Sequence, residues 1–423
     1  MRVFYSILFY LALPIVALRL YWRGKKAPAY RLRWRERFGY YAQNFPQDVI
    51  WFHAVSVGEA EALFPLVQHL QKHYPAQAIL ITTTTPTGSA RVKAVLQDSV
   101  SHVYLPYDVP FAIQGFMRCF KPRLAVIMET EIWPNLFLAC GNNAIPLYLI
   151  NARLSEKSAR AYQKLSALIH PVMAQVTQIA AQSEEDAQRF IAIGAKPERV
   201  KNLGNIKFDM TIPQSLINEG LQLKVTLFKN RFVWLLASTH KDEEELFLDN
   251  YKTLKHSIPE LLLVIVPRHP ERFADVQKLC IRQQLKVVMR TRAVLPTVET
   301  DVYIADTMGE LKMLYAAADV AFVGGSMVAT GGHNILEALV AGVPVLFGPF
   351  MFNFKEIVRN ALSHQAAIQC QDKEELMTAV KTMYEQPSYR AAFVEKGKAF
   401  VRQNQGALER ISAILALAID VKQ

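Results

Sequence analysis

Short, continuous apolar runs recur along this chain, and they limit its fold more than any other feature. VIWFHAV, AILITTT, HVYLPY, LAVIMET, IPLYLIN, QIAAQS and VKNLGN occupy the first half. FVWLLAS, LLLVIVP, KVVMRT, DVYIAD, VAFVGG and VPVLFG follow in the second. Strands with one face in water alternate apolar and polar residues, whereas unbroken runs of this length suit strands covered on both faces of a parallel sheet. The polar, amphipathic stretches between them read as crossover helices. An α/β fold with two doubly wound domains is predicted. The 423 residues, 51% of them hydrophobic, suffice for two cores. The break is expected near FDMTIPQSLINEG, residues 208–220, where the strand pattern lapses around Pro213. We therefore expect an N-terminal domain over 23–212 and a C-terminal domain over 213–423, with the helical tail after Tyr389 counted in the second although its helices could pack back on either domain.

Residues 1–22 lie outside this pattern. VFYSILFYLALPIVALRLYW is apolar apart from Ser6 and Arg19, and it runs into Arg23, Lys25, Lys26, Arg31, Arg33, Arg35 and Arg37, opposed only by Glu36. Such a segment reads as a membrane anchor with a basic collar on the cytoplasmic side, where anionic lipid attracts it. No small-residue processing site follows the apolar core, so removal as a signal peptide is not expected. The run is near the minimum length for a spanning helix, which leaves open whether it crosses the bilayer or lies in one leaflet. The net charge of +11 would also suit nucleic acid. Its densest block adjoins the anchor, however, and no nucleic-acid-binding motif is present, so no nucleic-acid partner is expected. The four cysteines are scattered and indicate neither a zinc site nor a disulfide framework.

Ligands of open parallel sheets sit beyond the carboxyl ends of the strands. SVGE, TTTTPTGS, ETEIWPN, NARLS and GNIKFD should share one such rim, and STHKDEE, PRHPER, DTMGE, GGSMVATGGHNILEAL and GPFMFNF the other. In the second set, paired glycines allow close approach of backbone to a ligand. Asn334 is placed to open a helix whose free N–H groups suit a phosphate, with Glu337 positioned for a ribose. The same Asn–Glu spacing also makes a helix N-cap box, and that alternative stands. Arg268 at a strand end could meet an anion or form a structural ion pair. Neither GxGxxG with a downstream acid nor GxxxxGK[ST] occurs, so a dinucleotide cofactor and a P-loop are not favoured. Glu59, in the first turn of a helix, has a plain electrostatic explanation as a partner of the helix dipole.

Taken together, HAVSVGE, TTTTPTGSARV, METEIWPNL, NARLS, LGNIKFD, STHKDEEE, VPRHPERF, DTMGELKMLY, FVGGSMVATGGHNILEA and QNQGALERI give the chain a resemblance to the 3-deoxy-D-manno-octulosonic acid (Kdo) transferases. It covers nearly the whole sequence. The resemblance implies a GT-B glycosyltransferase with two Rossmann-like domains facing a cleft. It implies inverting transfer of Kdo from CMP-Kdo to a hydroxyl of the lipid A precursor, on the cytoplasmic face of the inner membrane. It also implies that Glu59 is the proton acceptor and that Glu129 and Lys207 stabilise the transition state. CMP would be held by Pro267 and Arg268, by Met308, Gly309 and Glu310, and by Asn334, Ile335, Leu336 and Glu337. No cofactor or metal is expected. Another GT-B transferase or a nucleotide-sugar epimerase is the alternative within enzymes.

Overall fold

The structure, a computed structural model, describes residues 1–41, 44–292 and 294–421; the side chain of Lys26, one of the expected collar, lies outside the described residues. The chain divides into two compact units, residues 1–209 with 405–423, and residues 210–404.

The strands of the first unit are β1 Ile50–His53, β2 Ile79–Thr83, β3 Ser101–Tyr104, β4 Leu124–Met128, β5 Leu147–Ala152, β6 Gln178–Ala181 and β7 Val200–Asn202. Among the described residues they form one sheet in the order β3-β2-β1-β4-β5-β6-β7. All pairs are parallel, with Ile50 level with both Ile79 and Leu124. Successive side chains of a strand point to opposite faces. Trp51 accordingly joins Phe116, Phe120 and Phe137 in one buried layer. Its neighbours Ile50 and Phe52 join Leu63, Val67 and Val126 in the other.

The second unit contains β8 Phe232–Thr239, β9 Leu261–Pro267, β10 Val287–Met289, β11 Val302–Ile304, β12 Val320–Val323, β13 Val345–Phe347 and β14 Ile368–Gln369. Their order is β10-β11-β9-β8-β12-β13-β14, again with every pair parallel. Trp234, Leu236, Phe247 and Phe322 sit in its core.

Each run read from the sequence is a strand. β14 was not anticipated, because a two-residue edge strand carries too few side chains to register as an apolar run. The tail, which the sequence left open between the two domains, is divided between the units. Helix Ala407–Asp420 belongs to the first unit, where Ile411, Leu415 and Ile419 complete the layer around Phe52. Asp209 holds its start, accepting from Gly406 N–H at 2.5 Å and Leu408 N–H at 2.6 Å. The unit boundaries are Asp209/Met210 and Asn404/Gln405, so the expected division of 23–212 from 213–423 misplaces this helix.

Candidate active site

In the first sheet β1 leads outward to β2 and β3, while β4 starts the opposite series on its other side. Loops leaving adjacent strands diverge at such a switch point and open a crevice beyond their carboxyl ends. The first turn of the helix that follows β1 carries Glu59, and the loop after β4 carries Glu129 and Glu131.

Ser56 caps helix Val57–His73, its Oγ accepting from Glu59 N–H at 3.4 Å. The Glu59 carboxylate closes the motif from the other side. It accepts from Val55 N–H at 2.9 Å and from Ser56 Oγ at 2.9 Å. This is a variant of the reciprocal cap, in which the carboxylate reaches the N–H one residue before the cap residue. It coexists with a strong perturbation: burial, reinforced by the charges of Glu129 and Glu131 and opposed by the two hydrogen bonds, raises the Glu59 pKa from 4.5 to about 7. Desolvation outweighs the donors because it penalises the ionised form of the whole carboxylate.

Glu129 is buried and has φ +56°, a backbone state that a residue with a β-carbon occupies only at a cost. In this conformation its Oε1 meets Lys207 Nζ at 2.7 Å and its Oε2 meets Arg153 at 3.4 Å. Lys207 is held in turn by the strand ends beside it. Asn205 Oδ1 accepts from Lys207 N–H, Asn151 Oδ1 accepts from Ile206 N–H, and Gln182 bonds both Asn205 and the Asn151 carbonyl. Glu131 accepts from the Trp133 indole at 2.8 Å, and burial raises its pKa also. Three expected residues, Glu59, Glu129 and Lys207, thus sit on one rim, with Glu129 and Lys207 in direct contact. Arg153 was missed, although its place in NARLS just beyond β5 was a usable signal.

The second sheet has its own switch point, between β8 and β12. Gly324 is required there, because a β-carbon would run into the Ser238 carbonyl. Fully buried Glu243 accepts from the backbone N–H groups of Gly325, Ser326 and Met327 at 2.7–3.0 Å, and from that of His240. Those glycine-loop amides are therefore engaged within the protein, a pairing that sequence reasoning did not foresee. The helix expected to open at Asn334 begins two residues later, spans only Leu336–Ala341 and has Ile335 as its N-cap. Asn334 Oδ1 accepts from Leu336 N–H at 3.1 Å, so the side chain folds over the helix start.

Pro267 ends β9; Arg268 follows it with its side chain exposed and its N–H bonded to the Thr239 carbonyl. Met308 and Gly309 are exposed just before helix Leu311–Ala316, with Gly309 at φ +90°. The Glu310 carboxylate pairs with Arg290 at 2.9 Å and also accepts from Thr307, which lowers its pKa. Its backbone, rather than its charge, is what remains for a ligand. Beside this rim His240 and His333 stack, their Nε2 atoms 2.8 Å apart, and His269 lies edge-on to His240. Burial and nearby Arg268 depress the His333 pKa to about 4, so one neutral imidazole donates to the other.

Two parallel units with separate switch points define the GT-B class of fold. The likeness extends to the UDP-GlcNAc 2-epimerase of Neisseria meningitidis in a structure bound to UDP-GlcNAc: 15% identity, 90% of this chain and 100% of that one, TM-score 0.57. At that identity the likeness concerns the fold alone. Sequence comparison narrows the class. Residues 32–210 match the family model of 3-deoxy-D-manno-octulosonic-acid transferase, and residues 238–400 match that of group 1 glycosyl transferases. The chain is 39% identical over 417 residues to the 3-deoxy-D-manno-octulosonic acid transferase of Haemophilus influenzae, covering 98% of each protein. It is 33% identical over 410 residues to that of Bordetella pertussis, covering 94% of each. The chain belongs to the Kdo transferase family.

Proposed function

We propose that this enzyme transfers Kdo from CMP-Kdo to a hydroxyl of the lipid A precursor, in the inner-core stage of lipopolysaccharide assembly, with inversion at the anomeric carbon. Glu59 takes the proton from the acceptor hydroxyl. The acceptor oxygen then bonds to the anomeric carbon as the bond to the phosphate oxygen breaks, and that electron pair leaves with CMP. The observation that carries this reading is the Glu59 carboxyl, raised to about 7 by burial at a switch point yet held in one orientation by two donors. A base titrating near the working pH combines availability of the ionised form with affinity for the proton.

Glu129 and Lys207 act as a pair. The 2.7 Å contact fixes the ammonium group where it stabilises negative charge developing on the leaving group or resting on the sugar carboxylate. Arg153 on the second carboxylate oxygen holds Glu129 in its unfavourable backbone state. On the second unit, Pro267 and Arg268, the backbone at Met308–Glu310, and Asn334–Glu337 hold CMP. Cationic side chains and backbone N–H groups supply the positive potential, and no metal takes part. The test of substrate identity is mass spectrometry of the lipid product from purified enzyme, CMP-Kdo and tetraacylated lipid A precursor. The expected product carries added Kdo, and unchanged acceptor alongside transfer to another lipid would overturn the assignment.

A further inference from the structure

Helix Arg2–Lys26 is the one described helix long and apolar enough to cross a membrane. At 1.5 Å per residue its 25 residues measure about 37 Å, more than the roughly 30 Å of a bilayer's hydrocarbon core. A crossing helix would carry its first residues to the side opposite the folded body. The structure places them against that body. Tyr5 donates to Asp108 at 2.9 Å, Ser6 donates to Asn135 at 3.1 Å, and Arg2 Nε donates to the same Asn135 oxygen at 3.2 Å. Tyr10 stacks on Phe111, with ring centroids 6.0 Å apart.

The other end is tied down as well. Leu20 and Gly24 are buried, and Arg31 lies over the Tyr21 ring at 4.4 Å. Buried and half-buried positions therefore recur along one stripe, from Tyr5 and Ser6 through Phe9, Leu13 and Leu20 to Gly24, at the 3.6-residue spacing of a single helix face. The opposite stripe, Phe4, Ile7, Leu11, Ile15, Leu18 and Trp22, is exposed and wholly apolar. Exposed Arg19, Arg23 and Lys25 flank or follow it, and no acidic residue precedes Glu36.

We propose that this helix lies in the plane of the bilayer, seated in the near leaflet, and does not cross it. The inference rests on the membrane location read from the sequence and specifies its geometry. An in-plane helix keeps every contact above, immerses its apolar stripe among the acyl chains and leaves its cations at anionic headgroups. A spanning helix would break the bonds to Asp108 and Asn135. Asn135 stands in the first turn after β4, six residues beyond Glu129. The in-plane position therefore brings headgroups alongside the rim that carries the base, where an amphiphilic acceptor is reached without leaving its membrane.

Spin labels test this in the full chain, with half-buried Cys119 replaced by serine. Phe4→Cys, Leu11→Cys and Leu18→Cys share the exposed stripe, so each label leaves the packing intact. In vesicles of phosphatidylethanolamine and phosphatidylglycerol, collision with oxygen and with a water-soluble nickel complex reports depth. The expected result is one shallow depth for all three labels, in a single leaflet. A deep Leu11 label between shallow labels at opposite surfaces would overturn the proposal, as would three labels that stay in water. Transfer from CMP-Kdo measured on the same samples separates the two readings: lost transfer with the in-plane pattern intact counts against the proposed reaction alone.

Discussion

The Glu59 carboxyl accepts hydrogen bonds from Val55 and Ser56, so the atoms that hold the helix start are those to which the proposed reaction assigns the proton. The two roles differ in what they predict. Because its folded-state pKa is about 7 against an ordinary 4.5, the folded chain binds more protons than the unfolded chain between those values. Stability falls as pH rises through that window, by roughly 3 kcal/mol once both states are ionised. Glu59→Gln removes this penalty and keeps an accepting oxygen, so at pH 8 the variant should unfold at the same denaturant concentration as the parent or a higher one. A purely capping role predicts a loss of about 1 kcal/mol instead. The rate of the parent enzyme should rise with pH through a midpoint near 7, following ionisation of Glu59. Lys207→Ala should lower kcat by about 100-fold or more, the scale of losing one preorganised electrostatic group, with donor affinity less affected. An unchanged kcat would remove Lys207 from the reaction. Glu59 was legible in the sequence as a strand-end acid but its environment was not, because burial and the two neighbouring carboxylates come from β4, some seventy residues away. The Glu243 pairing with the glycine loop was hidden for the same reason.

Among the elements, the basic collar divides into two kinds of residue that composition could not separate. Arg37 is buried, donates to the Thr84 carbonyl and stacks on Tyr104, while Arg33 chelates Glu36 and reaches Ser89 and the His102 carbonyl. These two arginines build the first unit. Tyr41 likewise packs on Phe116 and Phe120 and faces the core, whereas Trp34 and Tyr40 are exposed. Replacing Arg23, Lys25 and Arg35 by serine should weaken binding to anionic vesicles several-fold without changing thermal stability. Arg37→Ser should destabilise the fold by about 1–3 kcal/mol, since it strands the part-buried Thr84 carbonyl and removes the stacking on Tyr104. Equal effects from both sets would contradict this division. The last helix makes a parallel case. Its apolar stripe was visible in GALERISAILALAIDV, but nothing local says which sheet it covers. Leu415→Ala, at a fully buried position, should cost about 2–5 kcal/mol in the unfolding of the first unit.

At the scale of the whole molecule, the architecture was legible because strands buried on both faces announce themselves as unbroken apolar runs. The residues on each rim followed from their place just beyond the carboxyl end of a strand, whereas strand order and the switch points did not. What the runs could not convey was the double passage of the chain between units, since the return at Asn404/Gln405 depends on packing against a sheet completed two hundred residues earlier. A donor held by side chains and backbone N–H groups predicts that chelation by EDTA leaves the transfer rate unchanged, and a loss restored by Mg²⁺ would refute that part of the mechanism. The proposed transfer turns on Glu59 as the base. The direct measurement is single-turnover Kdo transfer by Glu59→Gln at pH 8, with CMP binding followed on the same preparation. Transfer abolished with CMP affinity within a few-fold of the parent is the predicted result, and transfer at a rate near the parent's would contradict it.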